Sequence, residues 1–345
     1  MAKSEFIKRD GVSVGAEYGL PKVNGVKKLT DGAETGCAQF LVETTRGRFV
    51  VDLDTRKTEL EFKREHDLVL FLRKQGFPCR APLADRRGRC FQEWSGKQLS
   101  VYRRIDGREL SSDSISANQL ENIGRVAADL HLVTKAYKKG GENHFSFDRV
   151  AELYESVRGR LPSYMRKIVR TLDEELDYLE NYLEMKLPRG TIHGAIRPAS
   201  ILVKGEKVVA LLNFDIAGKG KFILDLATAV NSLCFLDGQY DLKRFEGLIA
   251  GYESLRTLSL AEWDAFPNEL RFSAFRYTIV RLNDFFVSSA AARQQINKDV
   301  QDFYERLLIL RREKDGGMES MLMAMATGYD YRKYQKVKAV ERRGR

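Results

Sequence analysis

Residues 191–226 read T-I-H-G-A-I-R-P-A-S-I-L-V-K-G-E-K-V-V-A-L-L-N-F-D-I-A-G-K-G-K-F-I-L-D-L. The Pro198 ring fixes a backbone turn ahead of a hairpin. Gly218 and Gly220 permit a tight turn after the second strand, and a helix that carries Asp225 begins near residue 222. The rest of the chain changes character across this stretch.

On its N-terminal side, Cys37–Leu53 (C-A-Q-F-L-V-E-T-T-R-G-R-F-V-V-D-L) has β-rich runs flanking Thr45-Arg46-Gly47, which predicts a hairpin. The charged amphipathic stretch Thr58–Gln75 stops at Gly76-Phe77-Pro78 and predicts a helix with a defined end. Strand-like pieces at 88–94 and 98–105 lead into Asp106-Gly107. From Ser116 long helices follow, over 117–137, 147–158 and 164–185, and after the hairpin over 222–236, 241–256, 259–289 and 297–313. The spacing of Phe272, Phe275, Ile279 and Leu282 marks one buried helical face. The expected organisation is an N-terminal extension (1–20), a β-rich lobe (21–108), a largely helical lobe (109–317) and a basic tail (318–345), an α+β two-lobe architecture.

With 345 residues, 43% of them hydrophobic and 10% aromatic, the chain can bury a sizeable core and is neither disordered nor fibrous in composition. No signal-peptide-like run or membrane-length apolar stretch occurs, so a soluble, cytoplasmic protein is expected. Cys37, Cys79, Cys90 and Cys234 are scattered and distant from the histidines, which predicts buried reduced thiols rather than a metal site or disulfides. A net charge of +10 favours an anionic partner but is also common on soluble enzymes. The segment 331–345 holds seven basic residues and one acidic. It reads either as an arm docking on nucleic acid or an anionic surface, with Tyr331 and Tyr334 stacking on bases, or as a solvated terminus. The methionine-rich run 318–325 reads as an apolar contact, onto the helical lobe or a partner protein.

The 191–226 stretch resembles the H-G-D-x-x-P-x-N catalytic loop and I-D-F strand of the aminoglycoside phosphotransferase and type II homoserine kinase families. Further similarities are the Thr30–Val51 hairpin, the Arg73–Leu83 segment (R-K-Q-G-F-P-C-R-A-P-L), Ala128-Asp-Leu-His131, Asp225-Leu-Ala227 and Phe275–Leu282 (F-R-Y-T-I-V-R-L). Their order implies a protein-kinase-like fold. In such families the loop aspartate is the base, the loop asparagine and strand aspartate hold magnesium, and an N-lobe lysine steadies the phosphates. Carried onto this chain, the base position is Ala195 and the metal positions are Ser200 and Asn213. Asp52 stands where the lysine belongs, with Arg48 and Lys57 nearby and Glu65 or Glu61 as the helix partner. Asp225 matches the family's buried aspartate that tethers the loop.

These replacements imply a catalytically inactive pseudokinase that binds or scaffolds a protein or small-molecule ligand, with no cofactor. The alternative is an ATP- and magnesium-dependent phosphotransferase acting on an alcohol or amino alcohol through a rearranged site. That alternative calls on Asp215 as residual metal ligand, while His193 is a candidate surrogate base. Asp52, Glu65, Arg197 and Asp215 are the candidate cleft residues. Plain structural roles compete at each: Asp215 as a helix cap, Arg197 in a surface ion pair, His131 and His193 as packed histidines.

Overall fold

The computed structural model describes residues 6–31, 36–184, 186–287 and 290–312. Helix α1 (Lys8–Glu17) precedes strands β1 (Val23–Thr30), β2 (Cys37–Thr44) and β3 (Gly47–Asp54); helix α2 (Glu59–Lys74) follows, then β4 (Gln92–Trp94) and β5 (Lys97–Arg103). The strands form one antiparallel sheet in the order β1-β2-β3-β5-β4. The two-residue period of a strand sorts its side chains. Phe49, Val51 and Leu53 sink into a small core with Phe40, Val42, Leu99 and Val101, closed by Phe6, Val14 and Tyr18. Val50, Asp52 and Asp54 emerge on the opposite face, toward the second lobe. Residues that the sequence sets apart as an extension therefore supply part of this core.

Helix α2 starts where Thr58 and Glu61 form a reciprocal cap: Thr58 Oγ1 accepts the Glu61 amide, and Glu61 Oε2 accepts the Thr58 amide at 2.8 Å. It ends ahead of Gly76, whose φ of +82° only glycine adopts freely. These two signals place the helix so that Glu65 points into the space between the lobes.

The connection from β5 reaches β6 (Arg108–Glu109), and helices α3 (Ala117–Thr134), α4 (Phe147–Arg158) and α5 (Arg166–Tyr182) follow. Next come β7 (Arg189–Ile192), β8 (Ile201–Lys204), β9 (Lys207–Leu211) and β10 (Gly218–Lys221), then α6 (Phe222–Leu233), the short β11 (Phe235–Leu236) and β12 (Gln239–Tyr240), α7 (Leu242–Glu253), α8 (Leu260–Val287) and α9 (Ala290–Arg312). β6, β8 and β9 form one small sheet, while β10 pairs with β7 and β11 with β12. The face read from helical spacing, Phe272, Phe275, Ile279 and Leu282, lies wholly in the main core. Helices α3 and α7 cross with backbones in contact. A Cβ at Gly124 would sit 2.0 Å from the Leu248 carbonyl oxygen, and one at Gly251 would sit 1.9 Å from that of Glu121.

The four cysteines are free thiols; Cys79 and Cys234 are buried, but Cys37 and Cys90 are only half-buried, because each lies on the margin of the first lobe's sheet. Among the described residues no helix is long and apolar enough to cross a membrane. The methionine-rich run and the basic tail 331–345 lie outside the described residues.

Candidate active site

Between β7 and β8 the chain makes the irregular segment His193–Arg197 and a 3-10 turn at Pro198–Ser200. Asp225, in the first turn of α6, pins this segment: its carboxylate accepts the His193 amide at 2.7 Å and the Gly194 amide at 2.6 Å. His131 Nε2 lies 3.1 Å from the same carboxylate, and its Nδ1 faces Tyr252 Oη at 2.7 Å. Burial pushes the Asp225 carboxyl up, but the hydrogen bond and charge of His131, with the His193 amide, more than reverse this and hold its pKa below the usual carboxylate range. From the other side, Arg276 of α8 donates Nη2 to the Gly194 carbonyl at 2.7 Å and to Thr228 Oγ1 at 3.1 Å. The loop is therefore fixed through both polar groups of one peptide region.

His193 is fully buried and has both ring nitrogens engaged. Nδ1 accepts the Ala195 amide at 3.1 Å, which leaves Nε2–H to donate to the Leu212 carbonyl at 2.7 Å. Burial also lowers its pKa. The surrogate-base role fails on this geometry, because no lone pair is left for a substrate hydroxyl. Ala195 presents a methyl group that neither accepts nor donates. The Ser200 hydroxyl accepts the Arg197 amide at 3.0 Å and faces the carbonyls of Ala195 and Arg197, so it is committed to the wall of the loop.

Above the loop, a cleft of about 710 Å³ separates the lobes, a typical ligand-site size. Asp52, Glu65, Arg197, Asn213 and Asp215 all line it. The structure thus brings together five sequence-picked positions from β3, α2, the loop and the segment after β9. Asn213 has a left-handed backbone (φ 63°) and offers Nδ2 to the Ala199 carbonyl at 3.4 Å, while Asp215 sits in the 3-10 turn Phe214–Ile216 and is exposed.

One cation of the cleft, Lys57, comes from the loop after β3. Lys57 Nζ lies 2.7 Å from Glu65 Oε2 and 3.7 Å from Asp54 Oδ2. Burial alone would lower the Lys57 pKa; the carboxylates of Glu65 and then Asp215 more than reverse this, and the ammonium is held above its ordinary range. Of the two candidate helix partners, Glu65 makes the pair and Glu61 serves the cap. At strand position 52 the polarity is inverted: Asp52 Oδ2 accepts Arg80 Nη2 at 2.7 Å, and the Arg80 guanidinium lies 4.3 Å from the centre of the Tyr102 ring. Beside them His66, driven by burial to a pKa of about 4, shares its Nε2 with Tyr102 Oη at 3.1 Å. Arg80 and Arg276 escaped the sequence reading as site residues, although both stand inside the segments that carry the family resemblance.

A β-rich lobe and a helical lobe that meet over a cleft, with an ion-paired lysine above a pinned loop, have the architecture of kinase-like phosphotransferases. The chain belongs to the phosphotransferase enzyme family, whose profile matches residues 26–258. It is similar to the homoserine kinase of Caulobacter sp. (strain K31), 30% identical over 300 residues that cover 86% of this chain and 92% of that protein. It is also similar to that of Sinorhizobium medicae (strain WSM419), 26% identical and covering 85% and 89%. Among solved structures, a spectinomycin phosphotransferase in complex with ADP and spectinomycin shares the fold with a TM-score of 0.64 at 12% identity, over 90% of this chain and 99% of that one. An amicoumacin kinase bound to AMP-PNP does so with a TM-score of 0.63 at 15% identity, over 81% and 88%.

These likenesses overturn the inactive pseudokinase reading. Relatives that align over nearly their full length are named as kinases, and the family is one of phosphotransferase enzymes. The physical error was to treat three replaced positions as an emptied site. A cation and carboxylates still converge on the cleft, supplied by Lys57, Glu65 and Asp215.

Proposed function

We propose that the chain transfers the γ-phosphoryl group of ATP to the hydroxyl of a small alcohol or amino alcohol through a rearranged site. The observation that carries this reading is the Lys57–Glu65 ion pair beside Asp215 in the inter-lobe cleft. A half-buried ammonium held charged by carboxylates is suited to steady nucleotide phosphates, and phosphoryl transfer depends almost wholly on positioning and electrostatic stabilisation.

Magnesium fits the donors at hand. Asp215 and the Asn213 amide are both exposed toward the cleft, and magnesium is commonly held by one or two carboxylates together with substrate phosphates. Ser200 is not among its ligands, since its hydroxyl is engaged in the loop. When bound, the ion would offset charge on the phosphates. Ala195 leaves the acceptor hydroxyl without a positioned base, which costs about 10²–10⁴ in rate. Substrate or water takes the proton, and turnover is slow rather than absent.

The relatives' names make homoserine the first acceptor to offer. The test is ADP release by the full chain with ATP and magnesium, across L-homoserine and a series of other amino alcohols and simple alcohols, beside thermal unfolding with ATP. Acceptor-dependent ADP release, with stabilisation of about 2.7 kcal/mol at a hundredfold excess of ATP over its Kd, is expected. No acceptor-dependent release and no nucleotide stabilisation would reject it.

A further inference from the structure

Lys57 is a poor sole anchor for a nucleotide triphosphate. One ammonium faces Glu65, Asp54 and Asp215, so its charge is already more than balanced. On β3 the side chain that points into the cleft at position 52 is a carboxylate, 7% exposed, which on its own would repel phosphates. Arg80 offsets that charge. It enters from the segment after α2, meets Asp52 at 2.7 Å and stacks on Tyr102 at 4.3 Å, so the plane of its guanidinium is fixed by two contacts of different kinds. Among the described residues its one hydrogen bond goes to Asp52, through Nη2. A guanidinium has five donors, and this one lines the cleft with its side chain 16% exposed.

We infer that Arg80 is a nucleotide-binding residue that supplies a phosphate-facing cation beside Lys57, with Asp52 and Tyr102 as the positioning residues that hold its fork. The inference rests on the phosphotransferase reading above. It commits to the phosphates, not the base or sugar, as the ligand chemistry, because a planar fork pairs with phosphate oxygens in the bidentate manner that a lysine does not.

The experiment is calorimetric titration of the full chain with ATP and, separately, with adenosine, for wild type, Arg80→Met, Arg80→Lys and the double variant Asp52→Leu/Arg80→Met. The double variant guards against misfolding, since it leaves no unpaired buried charge. Both Met variants should weaken ATP roughly 10- to 100-fold, the range of one or two charge-assisted hydrogen bonds, and leave adenosine unchanged. Arg80→Lys should recover only part of the loss. Equal weakening of ATP and adenosine, or no weakening of ATP by the double variant, overturns the assignment of Arg80 while the phosphotransferase reading stands. Failure of the wild-type chain to bind ATP overturns both.

Discussion

The carboxylate of Asp225 accepts the Gly194 amide at 2.6 Å, a buried contact between helix α6 and a loop 31 residues earlier in the chain. Asp225 also accepts the His193 amide and faces His131, so three donors converge on one fully buried carboxylate. Asp225→Ala leaves those donors unsatisfied, at about 1–3 kcal/mol for each buried group left without a partner, measured as a fall in the urea midpoint. The pH dependence follows from the depressed pKa. Its stabilisation is fully present above the unfolded carboxylate value of about 3.9 and is lost as pH falls through the lower folded value. The wild-type midpoint should thus drop steeply in acid, and an Asp225→Asn chain, less stable at neutral pH, should drop less. Parallel acid profiles for the two would exclude this carboxylate as a source of the dependence.

Lys57 and Glu65 are expected to act as a unit. Lys57→Met should lower kcat/KM for ATP by two orders of magnitude or more, because it removes the cation and leaves Glu65, Asp54 and Asp215 facing the phosphates. Glu65→Gln should do less, since Asp215 and Asp54 still hold the ammonium. Steady-state kinetics on the two variants and the double variant gives the coupling between them. Strict additivity of the two losses would mean that the ion pair has no part in catalysis.

Much of the fold could be read from the sequence because its signals are local. Thr58 caps α2 and Gly76 ends it; the run 147–158 predicted from the sequence is helix α4, Phe147–Arg158. Strand period explains why position 52 points into the cleft, and Asp52 does line it. What strand period does not encode is the reach of a residue beyond the strand end. Lys57 has no periodic position, so its pairing with Glu65 appeared only as one option among several. Arg80 is farther still from any such signal, because its partner Asp52 lies 28 residues away across two elements. The inactive reading failed for the same reason, since it required each chemical group to stay at its inherited sequence position. His193 shows the converse: sequence offers an imidazole in a loop, and only the network reveals that both nitrogens are engaged.

Asp215→Ala should abolish turnover and leave the fold intact. The residue is exposed in the cleft, and among the described residues no hydrogen bond or ion pair ties it to the core, so its removal carries little structural cost. If it is the remaining carboxylate for magnesium, the variant should also lose the dependence of ATP binding on magnesium, followed by titration at fixed ATP. Wild-type turnover in the variant would require a different metal ligand.

Gly251→Ala tests the helix crossing without touching the site. The new Cβ would fall 1.9 Å from the Glu121 carbonyl oxygen, a backbone atom that moves only with the whole helix. Overpacking of this kind costs about 1–3 kcal/mol or more, so the melting temperature should fall by several degrees. Gly205→Ala, at a position with a positive φ but nothing within 4 Å, should cost less. An equal or smaller loss at Gly251 would show that α3 and α7 separate easily.

Ala195→Asp is the most direct probe of the missing base. The residue lies at 9% exposure, with its amide tied to His193 and its carbonyl facing Ser200, so the backbone that would carry a carboxylate is already held in place. If the loop keeps the geometry of the family, an aspartate there should accept the acceptor hydroxyl's proton and raise kcat by about 10²–10⁴ with little change in KM for ATP. The gain should disappear below the pKa of the new carboxylate, because only the ionised form accepts a proton. Adding Asn213→Asp supplies a second carboxylate beside Asp215, and the two effects should multiply if base and metal site act independently. A folded Ala195→Asp chain with unchanged kcat would mean that proton removal does not limit the reaction, and that the site is slowed by how it positions the phosphates.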